Sequence, residues 1–326
     1  MTDFAIEAAG LVKSFGTTRA LDGVDLAART GTVLGVLGPN GAGKTTAVRI
    51  LATLLRADEG TATVNGFDVR AQADKVRRSI GLTGQFASVD DDLTGTENLV
   101  MIGQLLDLSA KAAKTRAAEL LEWFDLADAA KKKAKTYSGG MRRRLDLAAS
   151  LVGRPPVIFL DEPTTGLDPA KREDMWDVVR SLVSDGSTVL LTTQYLEEAD
   201  ALADEITVID HGRVIAHDTP HGLKRVVGGQ RLTVHPLDSA RYDDLVTLLA
   251  GVAGHTEPDG RGSVTIRVDS DDVLPDVVAR LRAAGITVDE FSLHLPSLDE
   301  VFFTLTGTRS RDSDDSDDSE AEEVPA

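Results

Sequence analysis

Apolar and polar positions follow a strand-then-helix rhythm through the first two thirds of the chain. Val33 to Leu37 is a short apolar run that predicts a buried strand. After it, Val48, Leu51 and Leu55 recur at helical spacing and predict a helix with one apolar face. Strands that alternate with helices in this way predict an α/β domain with a largely parallel sheet, which we assign to residues 1–226.

The same stretch carries further elements that complete this domain. Strand-like runs near the N-terminus are interrupted by Gly16 and Gly23, which predicts short strands there. The segment "KTRAAELLEWFDLADAA" predicts an amphipathic helix, and "VIFLD" and "STVLLTTQ" predict two more buried strands. A hairpin is expected to turn at His211 and Gly212.

The pattern of apolar positions changes near "LKRVVGGQR". Residues 229–306 read as strand, helix, strand, helix, strand, which predicts a small α+β domain. Its last helix should begin at Ser297, since Ser297 and Glu300 have the spacing of a capping box. Residues 309–326 contain eight acids and almost nothing apolar, so we expect a disordered, solubilising tail.

Composition limits the function classes. The formal net charge is −18, from 53 acidic against 35 basic residues, which argues against a nucleic-acid partner. The chain has no cysteine, so disulfides, thiolate metal sites and a catalytic thiol are excluded. No signal-peptide pattern and no apolar run of membrane-spanning length is found, so we expect any membrane role to come through a partner.

The segment "GPNGAGKTT" fits the phosphate-loop pattern of Gly38, four residues, Gly43, Lys44 and Thr45. Glycines let backbone N–H groups point at phosphate, while the lysine would reach the β- and γ-phosphates and the threonine hydroxyl would ligate Mg²⁺. The loop lies between a predicted strand and a predicted helix, as such a loop requires. The predicted nucleotide-binding residues here are Gly38, Pro39, Asn40, Gly41, Ala42, Gly43, Lys44, Thr45 and Thr46.

Two acids lie at the end of the predicted strand, since Asp161 is the last residue of "VIFLD" and Glu162 follows it. Asp161 stands at its carboxyl end, where open α/β sheets bind ligands. We expect Asp161 to help hold Mg²⁺ and Glu162 to be the base that activates the attacking water.

The segment "YSGGM" places Ser138, Gly139 and Gly140 at the mouth of a helix-like run. Free backbone N–H groups at a helix start suit an anion. The alternative is that Ser138 is an ordinary helix N-cap.

Together these motifs resemble those of the ATP-binding cassette (ABC) ATPases, over about residues 4–225. "YSGGM" resembles the family signature, and "GLTGQ" puts Gln85 at the Q-loop glutamine, a catalytic residue and Mg²⁺ ligand. "TTGLDP" puts Asp168 in the D-loop, and Phe15 is similar to the aromatic residue that stacks on adenine. The resemblance implies the fold of a P-loop NTPase cassette with a helical signature subdomain and N-terminal antiparallel strands.

The resemblance also implies partners. ABC cassettes pair head to tail around two ATP molecules, so Ser138, Gly139 and Gly140 would bind the γ-phosphate of ATP held by the other copy. "TTQYLEEAD" and "LDEVFFTLTG" resemble the ATPase subunits of daunorubicin-resistance-type drug exporters. This implies a homodimer at the cytoplasmic face of the membrane, bound to a separate permease. A soluble ABC ATPase, for example one of cofactor assembly, is the alternative.

Two positions depart from the family pattern. Met141 replaces the usual signature glutamine, and Gln194 stands where a switch histidine is expected. Glutamine can donate an amide N–H to a γ-phosphate but cannot become a cation near neutral pH, so Gln194 is interpreted as a catalytic variant. Arg142, Arg143 and Arg144 fit either a solvated helix face or phosphate steering.

Overall fold

The computed structural model describes residues 3–83, 89–226, 230–253, 256–258, 262–268 and 272–307. The chain divides into two compact units, Met1–Pro220 and His221–Ala326. The domain boundaries predicted at residues 226 and 229, and the predicted tail, stay predictions.

Fourteen strands and eleven α-helices lie within these described ranges. The strands are β1 Phe4–Phe15, β2 Thr18–Arg29, β3 Val33–Leu37, β4 Glu59–Val64, β5 Phe67–Asp68, β6 Ile80–Thr83, β7 Val157–Asp161, β8 Thr188–Thr193, β9 Glu205–Asp210, β10 Arg213–Asp218, β11 Gln230–Pro236, β12 Thr256–Pro258, β13 Val264–Val268 and β14 Val288–His294. The helices are α1 Lys44–Leu51, α2 Ala73–Ser79, α3 Gly95–Leu105, α4 Ala110–Trp123, α5 Gly139–Ser150, α6 Pro169–Ser184, α7 Leu196–Leu202, α8 Pro220–Val226, α9 Tyr242–Ala253, α10 Val273–Ala283 and α11 Leu298–Thr306.

The first unit is built on a six-stranded sheet in the order β10-β9-β3-β8-β7-β6. Strands β9, β3, β8, β7 and β6 pair in parallel, and β10 forms the expected hairpin with β9. Every residue of β3, β7 and β8 is buried, which explains why these strands read as continuous apolar runs. The α/β fold is confirmed, and the carboxyl ends of three neighbouring strands meet at one edge.

A second, antiparallel sheet has the order β2-β1-β4-β5. The expectation that Gly23 interrupts a strand is wrong, since β2 runs through it. Leu11 pairs with Val24 and Val12 with Asp22, so Gly23 is the extra residue of a β-bulge. Its φ of 78° is one that glycine adopts without steric cost.

The predicted helix over "KTRAAELLEWFDLADAA" ends earlier than expected. Helix α4 stops at Trp123, because Asp125 adopts a left-handed φ of 53°. The N–H of Leu126 then bonds the carbonyl of Leu121 at 2.7 Å, as in a Schellman-type helix end. Phe124 turns into the apolar core with 2% of its surface exposed.

The second unit has an antiparallel sheet in the order β12-β13-β11-β14, with α9 packed on it and α10 packed against α9. Its own core includes Leu232, Val234, Leu245 and Leu249, all fully buried. The predicted alternation of strands and helices is confirmed, but the short strand β12 was not anticipated. Both hydrogen bonds of the Ser297 capping box form at the start of α11. The Ser297 hydroxyl accepts from the N–H of Glu300, and the Glu300 carboxylate accepts from the N–H of Ser297.

Candidate nucleotide-binding and catalytic site

The phosphate loop leaves β3 and enters α1, and two of its glycines are required by packing. A Cβ on Gly38 would lie 2.2 Å from the carbonyl oxygen of Ile209. Gly43 has a φ of 111°, and a Cβ there would lie 2.5 Å from the carbonyl oxygen of Ala20. Larger residues at these positions would push the loop away from the sheets that support it.

Helix α1 begins without a side-chain cap. Gly43 is its N-cap residue, and no acidic side chain lies in the first turn. The N–H groups of Lys44, Thr45 and Thr46 therefore have no partner within the helix. Such a terminus favours a phosphate group both by its free donors and by the helix dipole.

Lys44 is held inside the loop with 4% of its side chain exposed. Its ammonium donates to the carbonyl oxygens of Gly38 at 2.6 Å and Pro39 at 3.2 Å. Burial lowers the pKa of Lys44, and the nearby Glu162 and Asp161 carboxylates offset part of that effect. A buried cation beside free backbone donors fits a nucleotide's phosphates, whose negative charge would further offset the burial of Lys44.

Asp161 stands at the end of β7 and accepts two hydrogen bonds at one oxygen. Thr192 Oγ1 donates at 2.6 Å and Thr45 Oγ1 at 3.2 Å. These contacts bring Asp161 and Thr45 together across the edge of the sheet, as the sequence predicts. Carboxylate and hydroxyl oxygens are the donor set that Mg²⁺ prefers.

Glu162 has an unusual backbone, with a left-handed φ of 50°. Its N–H bonds both the carbonyl oxygen and Oγ1 of Thr192, each at 3.1 Å. The carboxylate lies 3.6 Å from the Lys44 ammonium and accepts from Thr165 Oγ1 at 3.4 Å. A non-glycine residue in this region costs about 1–3 kcal/mol and is typical of functional sites.

The serine and glycines of "YSGGM" lie at the start of α5. Ser138 is its N-cap residue and accepts a hydrogen bond from the N–H of Met141 at 3.3 Å. Ser138 and Gly139 are exposed. A Cβ on Gly140 would lie 3.2 Å from Cδ of Lys171, so this turn borders the start of α6. Among the described residues, no hydrogen bond or ion pair joins the turn to the phosphate loop.

Asp168, which the resemblance assigns to nucleotide binding, caps α6 in this structure. Its carboxylate accepts from the N–H of Lys171 at 3.0 Å and also forms an ion pair with the Lys171 ammonium. The hydrogen bonds from Lys171 lower the pKa of Asp168. The D-loop aspartate thus has a local structural role beside its assigned one.

The remaining assigned residues lie on other segments of the chain. Phe15 ends β1 with 52% of its surface exposed, and the Lys13 ammonium lies 5.6 Å from its ring centroid. Gln194 follows β8 directly, is half-buried, and has no hydrogen bond to another residue that the structure describes. Gln85 lies outside the described residues.

Sequence reasoning did not single out Glu198, which lies fully buried on α7. Burial raises its pKa, and Thr193, Thr164 and Trp176 nearby oppose that shift. Neither carboxyl oxygen has a hydrogen bond within 3.5 Å among the described residues. Its spacing could have indicated the burial, because Glu198 lies four residues before Leu202 and both therefore face the same, buried side of α7.

Comparison with known proteins identifies the chain. The family model of the ABC transporter matches residues 21–165, and that of the DrrA1-3-like ATP-binding protein C-terminal domain matches residues 219–306. The daunorubicin/doxorubicin resistance ATP-binding protein DrrA of Streptomyces peucetius is 53% identical, over 98% of each chain. The chain belongs to the daunorubicin-resistance family of ABC exporter ATP-binding subunits. The daunorubicin resistance protein DrrA2 of Streptomyces coeruleorubidus is 54% identical over 96% of this chain and 98% of that protein.

The fold of an ABC cassette is confirmed by solved structures. A dimeric ATP-binding cassette in a post-hydrolysis state, bound to ADP and phosphate, matches with a TM-score of 0.61 and 26% identity. The match covers 66% of this chain and 98% of that one. As an ABC subunit the chain binds ATP and hydrolyses it, which confirms the predicted activity. None of the helices in the described ranges combines the length and apolarity needed to cross a bilayer.

Proposed function

We propose that two copies of this chain pair head to tail and hydrolyse ATP in composite sites between them. In each site the phosphate loop of one copy faces the Ser138–Gly140 turn of the other. The observation that carries this proposal is the exposed start of α5. Its Gly139 and Gly140 N–H groups have no partner within the helix, and among the described residues it makes no hydrogen bond or ion pair with its own phosphate loop. A dimeric cassette bound to ADP and phosphate among the structural relatives supports pairing of two copies.

The chemistry follows from the side chains gathered at the sheet edge. Thr45 and Asp161, with Gln85, would hold Mg²⁺, which neutralises developing charge on the phosphates. Glu162 accepts a proton from the attacking water, and Lys44 stabilises the γ-phosphate oxygens. Gln194 donates its amide N–H to the same group, and Phe15 stacks on adenine.

The chain would work at the cytoplasmic face of the membrane, bound to a separate permease, and drive efflux of a drug or another hydrophobic compound. The daunorubicin-resistance names of the relatives support this substrate class. The second unit, with its own core, would stabilise the pair or dock the permease.

Dimer formation tests the composite site. In a Glu162→Gln background, where turnover is strongly reduced, ATP should accumulate a closed dimer that light scattering detects. Adding Ser138→Arg fills the space of the partner's γ-phosphate, so we expect the dimer to be lost while monomer affinity for ATP is unchanged. Ser184→Arg, at the exposed far end of α6, is the matched control and should still dimerise. A dimer that survives Ser138→Arg would contradict the proposal.

Export is tested in membrane vesicles that contain this chain together with a candidate permease. ATP should drive accumulation of fluorescent daunorubicin in inverted vesicles, and Lys44→Ala should abolish it. Hydrolysis without membrane association or transport would instead favour a soluble ABC ATPase.

A further inference from the structure

The three arginines after the signature have separate partners. Arg142 forms an ion pair with Asp91. Arg144 donates to the carbonyl of Phe124 at 3.0 Å and to the Asp125 carboxylate at 3.3 Å. These contacts hold Arg142 and Arg144 against neighbouring segments of the chain. They favour a structural role for both side chains over phosphate steering.

Arg143 instead reaches the end of strand β7. Its guanidinium donates to three consecutive carbonyl oxygens, those of Asp161 at 3.3 Å, Glu162 at 2.8 Å and Pro163 at 3.0 Å. Hydrogen bonds from a charged donor are roughly twice as strong as neutral ones. Arg143 therefore anchors the backbone at the point where the catalytic acids leave the sheet.

This anchor acts on a strained residue. Glu162 has a φ of 50°, and its peptide groups are fixed on both sides. Its N–H is held by Thr192 of β8 and its carbonyl by Arg143 of α5. The direction of the Glu162 carboxylate thus depends on the seating of α5 as well as on the sheet.

Helix α5 is also the helix whose first turn carries Ser138, Gly139 and Gly140. Arg143 lies five residues after Ser138, which is about 7.5 Å along a helix. If the first turn of α5 shifts when it binds a ligand, Arg143 would therefore shift by nearly the same distance.

We propose that Arg143 is a positioning residue that aligns Glu162 of its own chain when α5 is seated on the nucleotide held by the partner. Arg143 acts in this proposal through the backbone around Glu162 and not through a contact with nucleotide. Through Arg143, hydrolysis at one site depends on whether the other site is occupied. This part of the proposal rests on the proposed composite site. Lysine is a poor substitute, because a single ammonium cannot match three carbonyls with the fixed geometry of a guanidinium.

The test compares Arg143→Ala and Arg143→Lys with Arg144→Ala and Arg144→Lys as matched controls in the full chain. Arg143→Ala should lower kcat by about tenfold to a hundredfold, since a displacement near 1 Å can cost about a hundredfold. Affinity for ATP and the ATP-dependent dimer should change less than twofold. Arg143→Lys should recover part of kcat, and the Arg144 variants should retain most of it.

A double variant separates alignment from general damage. If Arg143 acts through Glu162, then adding Arg143→Ala to Glu162→Gln should lower the residual turnover less than twofold, because coupled residues are not additive. Additive losses, unchanged kcat in Arg143→Ala, or loss of ATP affinity or of the dimer would overturn the proposal. Absence of any dimer in the Glu162→Gln parent would refute the composite site instead, and the non-additivity in turnover would still decide whether Arg143 aligns Glu162.

Discussion

The ammonium of Lys44 lies 3.6 Å from Oε1 of Glu162, with 4% and 13% of the two side chains exposed. Burial lowers the pKa of Lys44, and a bound phosphate would raise it again, since an opposite charge favours the protonated form. We expect ATP binding to take up protons at alkaline pH, and ATP affinity to fall as pH rises through the lowered pKa. Calorimetric titration in two buffers of different ionisation enthalpy measures this uptake. Lys44→Arg, which stays charged, should show none, and uptake that persists in it would assign the proton to another group.

Removal of the Glu162 carboxylate should separate binding from chemistry. Glu162→Gln keeps the shape of the side chain, so ATP affinity should survive while turnover falls by roughly a hundredfold or more. Phosphate release and nucleotide titration measure the two quantities. Glu197→Gln, an exposed position on α7, is the control. Turnover near the wild-type rate in Glu162→Gln would remove Glu162 from the role of base.

Because Gln194 stands where a histidine is expected, the pH profile of ATPase activity should show no histidine titration from this position. Its amide cannot titrate, so Gln194→Ala should lower ATPase activity at every pH at which the chain is folded. Gln194→His should support activity and add a titration near neutral pH. Steady-state rates from pH 5.5 to 8.5 test both expectations. An unchanged rate in Gln194→Ala would show that this residue has no part in hydrolysis.

Glu198 should make the protein less stable as pH rises. Its folded-state pKa is raised by burial, so between the ordinary value of 4.5 and the raised value the folded chain binds more protons than the unfolded chain. Stability is then fully present below about pH 4.5 and is lost as pH rises toward the folded pKa. Each tenfold difference in proton affinity between the folded and unfolded chain corresponds to about 1.4 kcal/mol. Glu198→Gln removes this loss, so its unfolding midpoint should exceed wild type by more at pH 7.5 than at pH 5. An equal difference at both values would contradict a neutral buried carboxyl.

The second unit should be separable from nucleotide binding. Truncation after Val226 should leave ATP affinity within about twofold while weakening the dimer or assembly with the permease. Deletion from Arg309, which removes only the acidic tail, is the matched control and should change neither. A folded truncated chain that no longer binds ATP would contradict this division.

The phosphate loop and the two acids were predictable because neighbouring residues of the sequence carry the whole pattern. Gly38 and Lys44 belong to one continuous loop, and Asp161 is the last residue of a buried strand. Arg143 and Glu198 were harder, since their partners are set by the fold. Arg143 meets Glu162 across 19 residues of sequence, and no local pattern states that a signature arginine will turn inward. The early end of α4 escaped prediction for a similar reason, because the left-handed Asp125 is compatible with a continuing apolar pattern.

At Glu162 the left-handed backbone brings folding stability and ATPase activity into conflict at one position. Its cost of about 1–3 kcal/mol is a sizeable fraction of the roughly 5–15 kcal/mol by which a typical domain is stable. Glycine would relieve that strain and would also delete the carboxylate. A laboratory selection that rewarded heat resistance alone would therefore drift toward inactive chains, whereas selection for efflux would retain the acid and accept the lower margin.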